Sequence, residues 1–598
     1  MTHPHLLDTS HLPLWDLSDL YPAMDSPELD QDFTRLEKLA ADFNRQYKGK
    51  LPALSAGEIL TSVTRHEAIE EIQGRIMSYA GLLHAGNVSD VEISKFYQAC
   101  HERLTRINRS LLFYTLEINR LDDDMVTGWL DSLPDLARYR PWFDTLRQYR
   151  PHQLDDSLEE LMMEKSLSGR AAWIRLFDET MAGLKYDFAD PLTGKTENIG
   201  TEEALNYLTD SAADRRQAAA HCLSSTFNGN IRLFSHITNS LAKDKEIDDR
   251  WRHFDRPADS RHLSNSVEAP VVEALVKAVK DAYPRLSHRY YRLKAAWLGR
   301  DKLDWWDRNA PLPDSDDSIH QWPDARKIVL EAYGNFSPEM ANIGTRFFDN
   351  DWIDAPVRDG KSPGAFAHPT IPAVHPYLLL NYLGKTRDVM TLAHELGHGV
   401  HQVLAGPQGV LLSDTPLTLA ETASVFGEML TFRSLLSGEK DPGKRKIMIA
   451  AKVEDMLNTV VRQIAFYDFE TRVHDRRRDG ELSADDLGDI WMAVQRESLG
   501  DAIRFDDSYR SFWCYIPHFI HSPFYVYAYA FGDCLVNSLY ATYQKQPKGF
   551  AEKYLEMLRA GGSLRHKELL KPFGLDANSP DFWTTGLNMI SDLIDEIE

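Results

Sequence analysis

The stretch TRDVMTLAHELGHGVHQVL, residues 386–404, decides how this sequence is read. Thr386 or Asp388 can cap its start, and the segment predicts an α-helix. His394 and His398 stand four residues apart, so both imidazoles fall on one helix face and can share a metal ion. Zinc takes histidine nitrogens and in catalytic sites keeps a position open for water, whose proton a glutamate beside the first histidine can accept. Glu395 fills that place in the HExxH pattern. The plain alternative is a helix with two ordinary histidines, since so short a pattern also arises by chance.

Neighbouring residues narrow the choice. A metzincin extension requires Gly three and His six residues after His398, and those positions hold His401 and Leu404. A third ligand is then expected from a later helix. DTPLTLAETASVFGEML, residues 414–430, offers Glu421 and Glu428, which are seven apart and share a face. Glu421 is favoured as the ligand and Glu428 as the carboxylate that orients a histidine. Against this, Thr418 and Glu421 also have capping-box spacing, in which the glutamate merely closes a helix start. His401, one turn beyond His398, is expected to pack or to face substrate, because the fourth coordination place belongs to water.

Just upstream, GKSPGAFAHPTIPAVHPYLLLNYL (360–383) has short apolar runs cut by prolines and predicts a small sheet, whose GAFAHP part can offer a strand edge to an extended peptide. Elsewhere helical periodicity dominates. Ser26 followed by Pro27 reads as a cap and first turn, and Leu29, Phe33, Leu36, Ala40, Phe43 and Tyr47 then recur at helical steps. Similar patterns fill about the first 180 residues and return from Lys444 to His474, so the fold class is mostly α. Turn-rich stretches from Asp190 and Asn309 read as domain seams or long surface loops. The expected division is an N-terminal helical region, 1–190, and a catalytic region, 191–598. HDRRRDGELSADDL, from His474, predicts a solvated helix junction capped by Ser483.

With 598 residues, 43% hydrophobic and 26% charged, the chain is long and apolar enough for more than one core region. A formal charge of −23 repels polyphosphates and anionic lipid surfaces, so no nucleic acid and no membrane partner is expected. From Ser511 to Tyr543 Asp533 is the one charged residue, but Pro517, Pro523, His518 and His521 suit a buried helix pair beside a functional site better than a membrane span. Cys100, Cys222, Cys514 and Cys534 form no CxxC pair, and the N-terminus lacks signal-peptide character. A cytoplasmic protein with buried thiols is expected.

GKSPGAF, NYLGKTRDVMTLAHELGHGVH, LAETASVFGE and PHFIHSPFYVYAYAFG, with the opening WDLSDLYP, together resemble the oligoendopeptidase F branch of the thimet oligopeptidase family. The resemblance covers most of the chain. It implies a two-lobed helical body with one zinc ion in a deep channel between lobes, cutting short peptides internally. Carried over by motif, His394, His398 and Glu421 are zinc ligands and Glu395 is the base. Thermolysin-like enzymes place the third glutamate nearer the second histidine, around Leu417, which counts against that group.

The aromatic run, if helical from about Ser522, puts Tyr525 and Tyr529 on one face and turns Tyr527 away, with His518 and His521 preceding. Phenol and imidazole groups suit an oxyanion, although tyrosines at this spacing usually pack in a core. The resemblance assigns His518, Tyr525 and Tyr529 to the zinc site. Two rivals remain at this point. One is a zinc exopeptidase on a related scaffold; the other is a non-catalytic peptide-binding protein, against which Glu395 speaks because a structural site needs no base.

Overall fold

Ser26 accepts a hydrogen bond from the Leu29 backbone N–H (3.4 Å) and starts the first long helix, in which Leu29, Phe33, Leu36, Ala40, Phe43 and Tyr47 are the buried residues. A cap of this kind contributes about 1 kcal/mol. The computed structural model describes residues 7–312 and 318–598. In chain order the principal helices are α1 (Pro27–Tyr47), α2 (Ala213–Trp251), α3 (Trp322–Phe336), α4 (Thr386–Ala405), α5 (Thr422–Gly438), α6 (Val461–Asp479) and α7 (Tyr527–Lys545). The strands that matter are β1 (Tyr186–Ala189), β2 (Thr196–Ile199), β3 (Ile353–Pro356), β4 (Phe366–His368) and β5 (Tyr377–Tyr382). The fold is mostly α with small sheets.

Packing divides the chain into two compact units. The first gathers Met1–Arg150, Asp317–Gly438 and Thr542–Leu575, and the second Pro151–Asp316, Glu439–Ala541 and Asp576–Glu598. Each draws on three separated stretches, so the units cross the sequential division at residue 190 instead of following it. The Asn309 stretch runs up to a change of unit, and its residues 313–317 lie outside the described residues. The Asp190 stretch is neither seam nor loop. It is the turn of the antiparallel β1–β2 hairpin, where Asp190 accepts from the Leu192 N–H (2.9 Å) and pairs with Arg215 (2.7 Å).

In the first unit the expected small sheet forms with one strand more than the prolines marked. β3 runs parallel and β4 antiparallel to the central β5, giving the order β3–β5–β4. The GKSPGAF segment ties this sheet together. Lys361 is buried and its Nζ donates to the Asp354 carboxylate (2.7 Å) and to the carbonyls of Asp354, Pro356 and Leu380. An ammonium removed from water needs this many acceptors.

The helix α4 is capped differently from expectation. Thr386 is its first residue rather than its cap, and Asp388 reaches back to accept from the backbone N–H groups of Leu383 (2.9 Å) and Lys385 (3.0 Å). Where α4 meets α5 the backbones touch: a Cβ on Gly397 would lie 2.5 Å from the Ala423 carbonyl oxygen and 2.7 Å from the Ser424 Cα. On α3, Tyr333 donates to the Ala393 carbonyl (2.5 Å) through space that Gly427 leaves open. These contacts, at Ala393 and Gly397, fix α4 rotationally on either side of His394.

The charge-poor segment 511–543, in the second unit up to Ala541, is largely buried, but it is a single turn, His518–His521, followed by α7. The helix begins at Tyr527, not near Ser522. Pro523 interrupts the backbone, and Phe524 adopts φ +60°, a left-handed conformation held by the Phe524 N–H donating to Glu470 on α6 (2.8 Å). No helix among the described residues is long and apolar enough to cross a membrane. Ser483 caps its helix as expected, exchanging bonds with Asp486. All four cysteines are free; Cys222 is half-buried and the others buried.

Candidate metal centre and active site

Four residues of spacing on α4 leave the rings of His394 and His398 5.0 Å apart, crossing at 78°. Their Nε2 atoms converge on one oxygen of Glu421, at 3.3 Å from His394 and 3.4 Å from His398. Glu421 stands between a four-residue turn, Leu417–Ala420, and the start of α5. Its carboxylate turns to the histidines and to the Ser424 hydroxyl, which donates to it (2.7 Å), rather than back to Thr418 within that turn. Candidate ligand atoms of all three residues lie within 4.8 Å of one another. Two imidazole nitrogens and a carboxylate oxygen make a donor set that fits zinc.

Electrostatics agree with cation binding. Burial works against a charged His394 ring, yet its bonds to Glu421 and Glu428 hold its pKa well above the usual histidine value. Burial likewise opposes ionisation of Glu421, and the two histidines overcome it, holding the carboxyl well below its usual range. Glu428 Oε2 lies 3.2 Å from His394 Nδ1, on the opposite edge of the ring from Glu421, and so fixes which nitrogen faces the triangle.

Glu395 is 7% exposed and stands outside the ligand triangle. Burial raises its pKa, against the pull of His394 and His398, and the Ala367 N–H on β4 donates to it. His401 is also buried, with Nε2 3.4 Å from the Thr415 hydroxyl, and burial pushes its pKa down to about 4. It is a packed neutral ring.

In the second unit His518, Tyr525 and Tyr529 form one cluster. His518 Nε2 is 3.3 Å from the Tyr529 hydroxyl, and the two tyrosine rings are 5.3 Å apart. Tyr527 points the other way, fully buried, its hydroxyl accepting from Asn265 (2.8 Å) and meeting His262 Nδ1 (3.1 Å). The grouping expected from a helix is therefore present, although a left-handed turn produces it. His521 leaves this cluster and pairs with Asp178 (2.8 Å). Sequence reading missed Glu470, which anchors the turn; the available signal was an acid on the buried Phe466, Phe469 and Val473 side of α6. It also missed the Ala367 N–H, a backbone group that no motif can specify.

Two family models match the chain, one described as Peptidase family M3 over residues 335–589 and one as Oligopeptidase F over residues 117–186. The chain belongs to the oligoendopeptidase F branch of peptidase family M3. It is 25% identical to Oligopeptidase PepF of Bacillus subtilis over 98% of this chain and 86% of that one. An oligoendopeptidase F homolog of Lactococcus lactis is 24% identical over 98% and 96% of the two chains. The crystal structure of oligoendopeptidase-F from Enterococcus faecium superposes with a TM-score of 0.70 at 22% identity, covering 95% of this chain and 99% of that chain. This M3 peptidase is accordingly a metalloendopeptidase that hydrolyses peptides.

Proposed function

We propose that this M3 peptidase is a zinc-dependent oligoendopeptidase that cleaves short peptides internally, with one ion per chain held by His394, His398 and Glu421. The observation that carries the reading is the convergence of both Nε2 atoms on Glu421 with the buried Glu395 alongside. The bound ion supplies a Lewis acid that polarises the scissile carbonyl and acidifies water. Glu395 accepts the proton of the attacking water and passes it to the leaving amine as the C–N bond breaks. The strand β4, at the edge of its sheet, offers backbone groups to an extended peptide. His518, Tyr525 and Tyr529 are proposed to donate to the oxyanion, a role supported by their mutual clustering and by the sequence resemblance.

An N-acetylated, C-amidated peptide separates this reading from an exopeptidase. Mass spectrometry is expected to find internal cleavage that a chelator abolishes and added zinc restores. Absence of any cut in the doubly blocked peptide overturns the endopeptidase reading.

Tyrosine-to-phenylalanine variants test the donor cluster. A donor used only as negative charge develops lowers kcat and kcat/KM together, by about 10²–10³-fold, with KM nearly unchanged. Tyr525→Phe or Tyr529→Phe is expected to show that pattern with normal zinc content. Tyr527→Phe removes a hydroxyl bound to Asn265 and His262, so it lowers the melting temperature and largely spares kcat. Wild-type kinetics in both Tyr525→Phe and Tyr529→Phe exclude them as donors.

A further inference from the structure

The segment that carries His518 and Tyr525 has little regular structure of its own. One helical turn, His518–His521, precedes Pro523, and α7 begins at Tyr527. Between them the backbone is tied by side chains from three helices of the same unit that are distant in the chain. Arg170, the first residue of the helix Arg170–Gly183, donates through Nη2 to the His521 carbonyl (2.7 Å) and the Ile520 carbonyl (3.4 Å). Arg261, on the short helix Asp259–Ser264, donates through Nε to the Pro523 carbonyl (3.2 Å). Glu470 on α6 accepts from the Phe524 N–H (2.8 Å). The guanidinium bonds are charge-assisted and so stronger than ordinary backbone bonds.

Phe524 needs such holding. Its φ of +60° lies in the left-handed region, which a bulky residue keeps only where its surroundings over-determine it. Tyr525 follows directly, so the angle at Phe524 sets the direction in which the chain enters Tyr525. Arg261 also reaches that ring, its guanidinium carbon 5.8 Å from the ring centre. On the other flank His518 stands two residues before Ile520, and its Nε2 meets the Tyr529 hydroxyl at 3.3 Å.

We propose that Arg170, Arg261 and Glu470 are positioning residues for peptide cleavage, which clamp the backbone from Ile520 to Phe524 and thereby hold His518, Tyr525 and Tyr529 in one cluster. This rests on the reading of those three as oxyanion donors. With a tie removed, Phe524 relaxes toward an ordinary φ and Tyr525 swings away from His518 and Tyr529. A reacting group misplaced by about 1 Å can cost on the order of 10²-fold in rate, so the clamp acts on kcat without touching substrate.

Arg170→Met, Arg261→Met and Glu470→Ala each remove a tie, while Arg261→Lys and Glu470→Gln put a donor or an acceptor back. Burial pushes the Glu470 carboxyl up to about 8, so a neutral amide of the same shape suits its place. Kinetics on the doubly blocked peptide, zinc content and melting temperature are measured for each variant, alone and combined with Tyr525→Phe and Tyr529→Phe. Alone, the Met and Ala variants are expected to lower kcat by about 10–100-fold, with KM nearly unchanged and zinc retained, and the Lys and Gln variants to recover most of the loss. Combined with the two phenylalanines, the same changes cost only about a few-fold more, because the hydroxyls through which they act are gone. An equal fold-loss in both backgrounds overturns the proposal, since a defect of folding alone multiplies both alike, as does wild-type kcat in the Met and Ala variants. Wild-type kinetics in the Tyr525→Phe, Tyr529→Phe protein itself is a different result, which removes the donor reading and the clamp's role with it. Should no clamp variant fold, hydrogen exchange on the wild type decides: the Phe524 amide, outside α7, is expected to exchange slowly, and fast exchange overturns the proposal.

Discussion

Glu395→Gln is expected to lower kcat by about 10²–10⁴-fold while the protein still holds about one zinc per chain. The argument rests on separating the base from the ligands. Glu395 is not one of the three residues whose donor atoms converge, so exchanging its carboxylate for an amide leaves His394, His398 and Glu421 in place. Gln keeps an oxygen to accept from the Ala367 N–H. Burial already disfavours the charged form of Glu395, so a neutral side chain of the same shape is tolerated and the melting temperature holds. Only the capacity to take a proton from water is lost. Metal analysis, steady-state kinetics and a thermal melt on the same preparation check this, and near-normal turnover removes Glu395 from the mechanism.

The second large effect distinguishes two glutamates seven residues apart. Glu421→Ala takes away the oxygen on which both Nε2 atoms converge, and the protein is expected to lose its metal on dialysis. Glu428→Ala removes only the group beside His394 Nδ1, a change that weakens metal affinity or activity by about 10–100-fold and leaves metal bound at saturating concentration. Metal content of the two variants, dialysed side by side and then titrated with zinc, gives the answer. If Glu428→Ala is the metal-free protein, the ligand assignment is reversed.

Much of this was legible in the sequence where one helix carries the whole signal. The first helix matches its expected cap and its six buried positions, because an amphipathic stripe depends on local spacing alone. The HExxH pair is legible for the same reason. The sequence favours Glu421 as a ligand over the capping-box reading, although spacing alone does not separate the two; its carboxylate faces His394 and His398. Less was readable where the backbone departs from its usual regions: nothing in PHFIHSPFYVYAYAFG announces that Phe524 is left-handed, and the helix start was misplaced by about five residues as a result. The interleaved units were invisible, because they depend on partners distant in the chain.

The bare backbone contact at Gly397 has a consequence for metal choice. The three proposed ligands come from α4 and from the residue just before α5, and the spacing of those two helices is set where a Cβ would fall 2.5 Å from the Ala423 carbonyl oxygen. No side chain stands there whose rotamer could absorb a change of size. On the proposed ligand assignment, the triangle of His394, His398 and Glu421 is held by that backbone contact, and selectivity among divalent ions would arise from geometry as well as from donor type. Retuning this centre for a larger ion begins at residues 397 and 423, which never touch the metal, before it begins at the ligands.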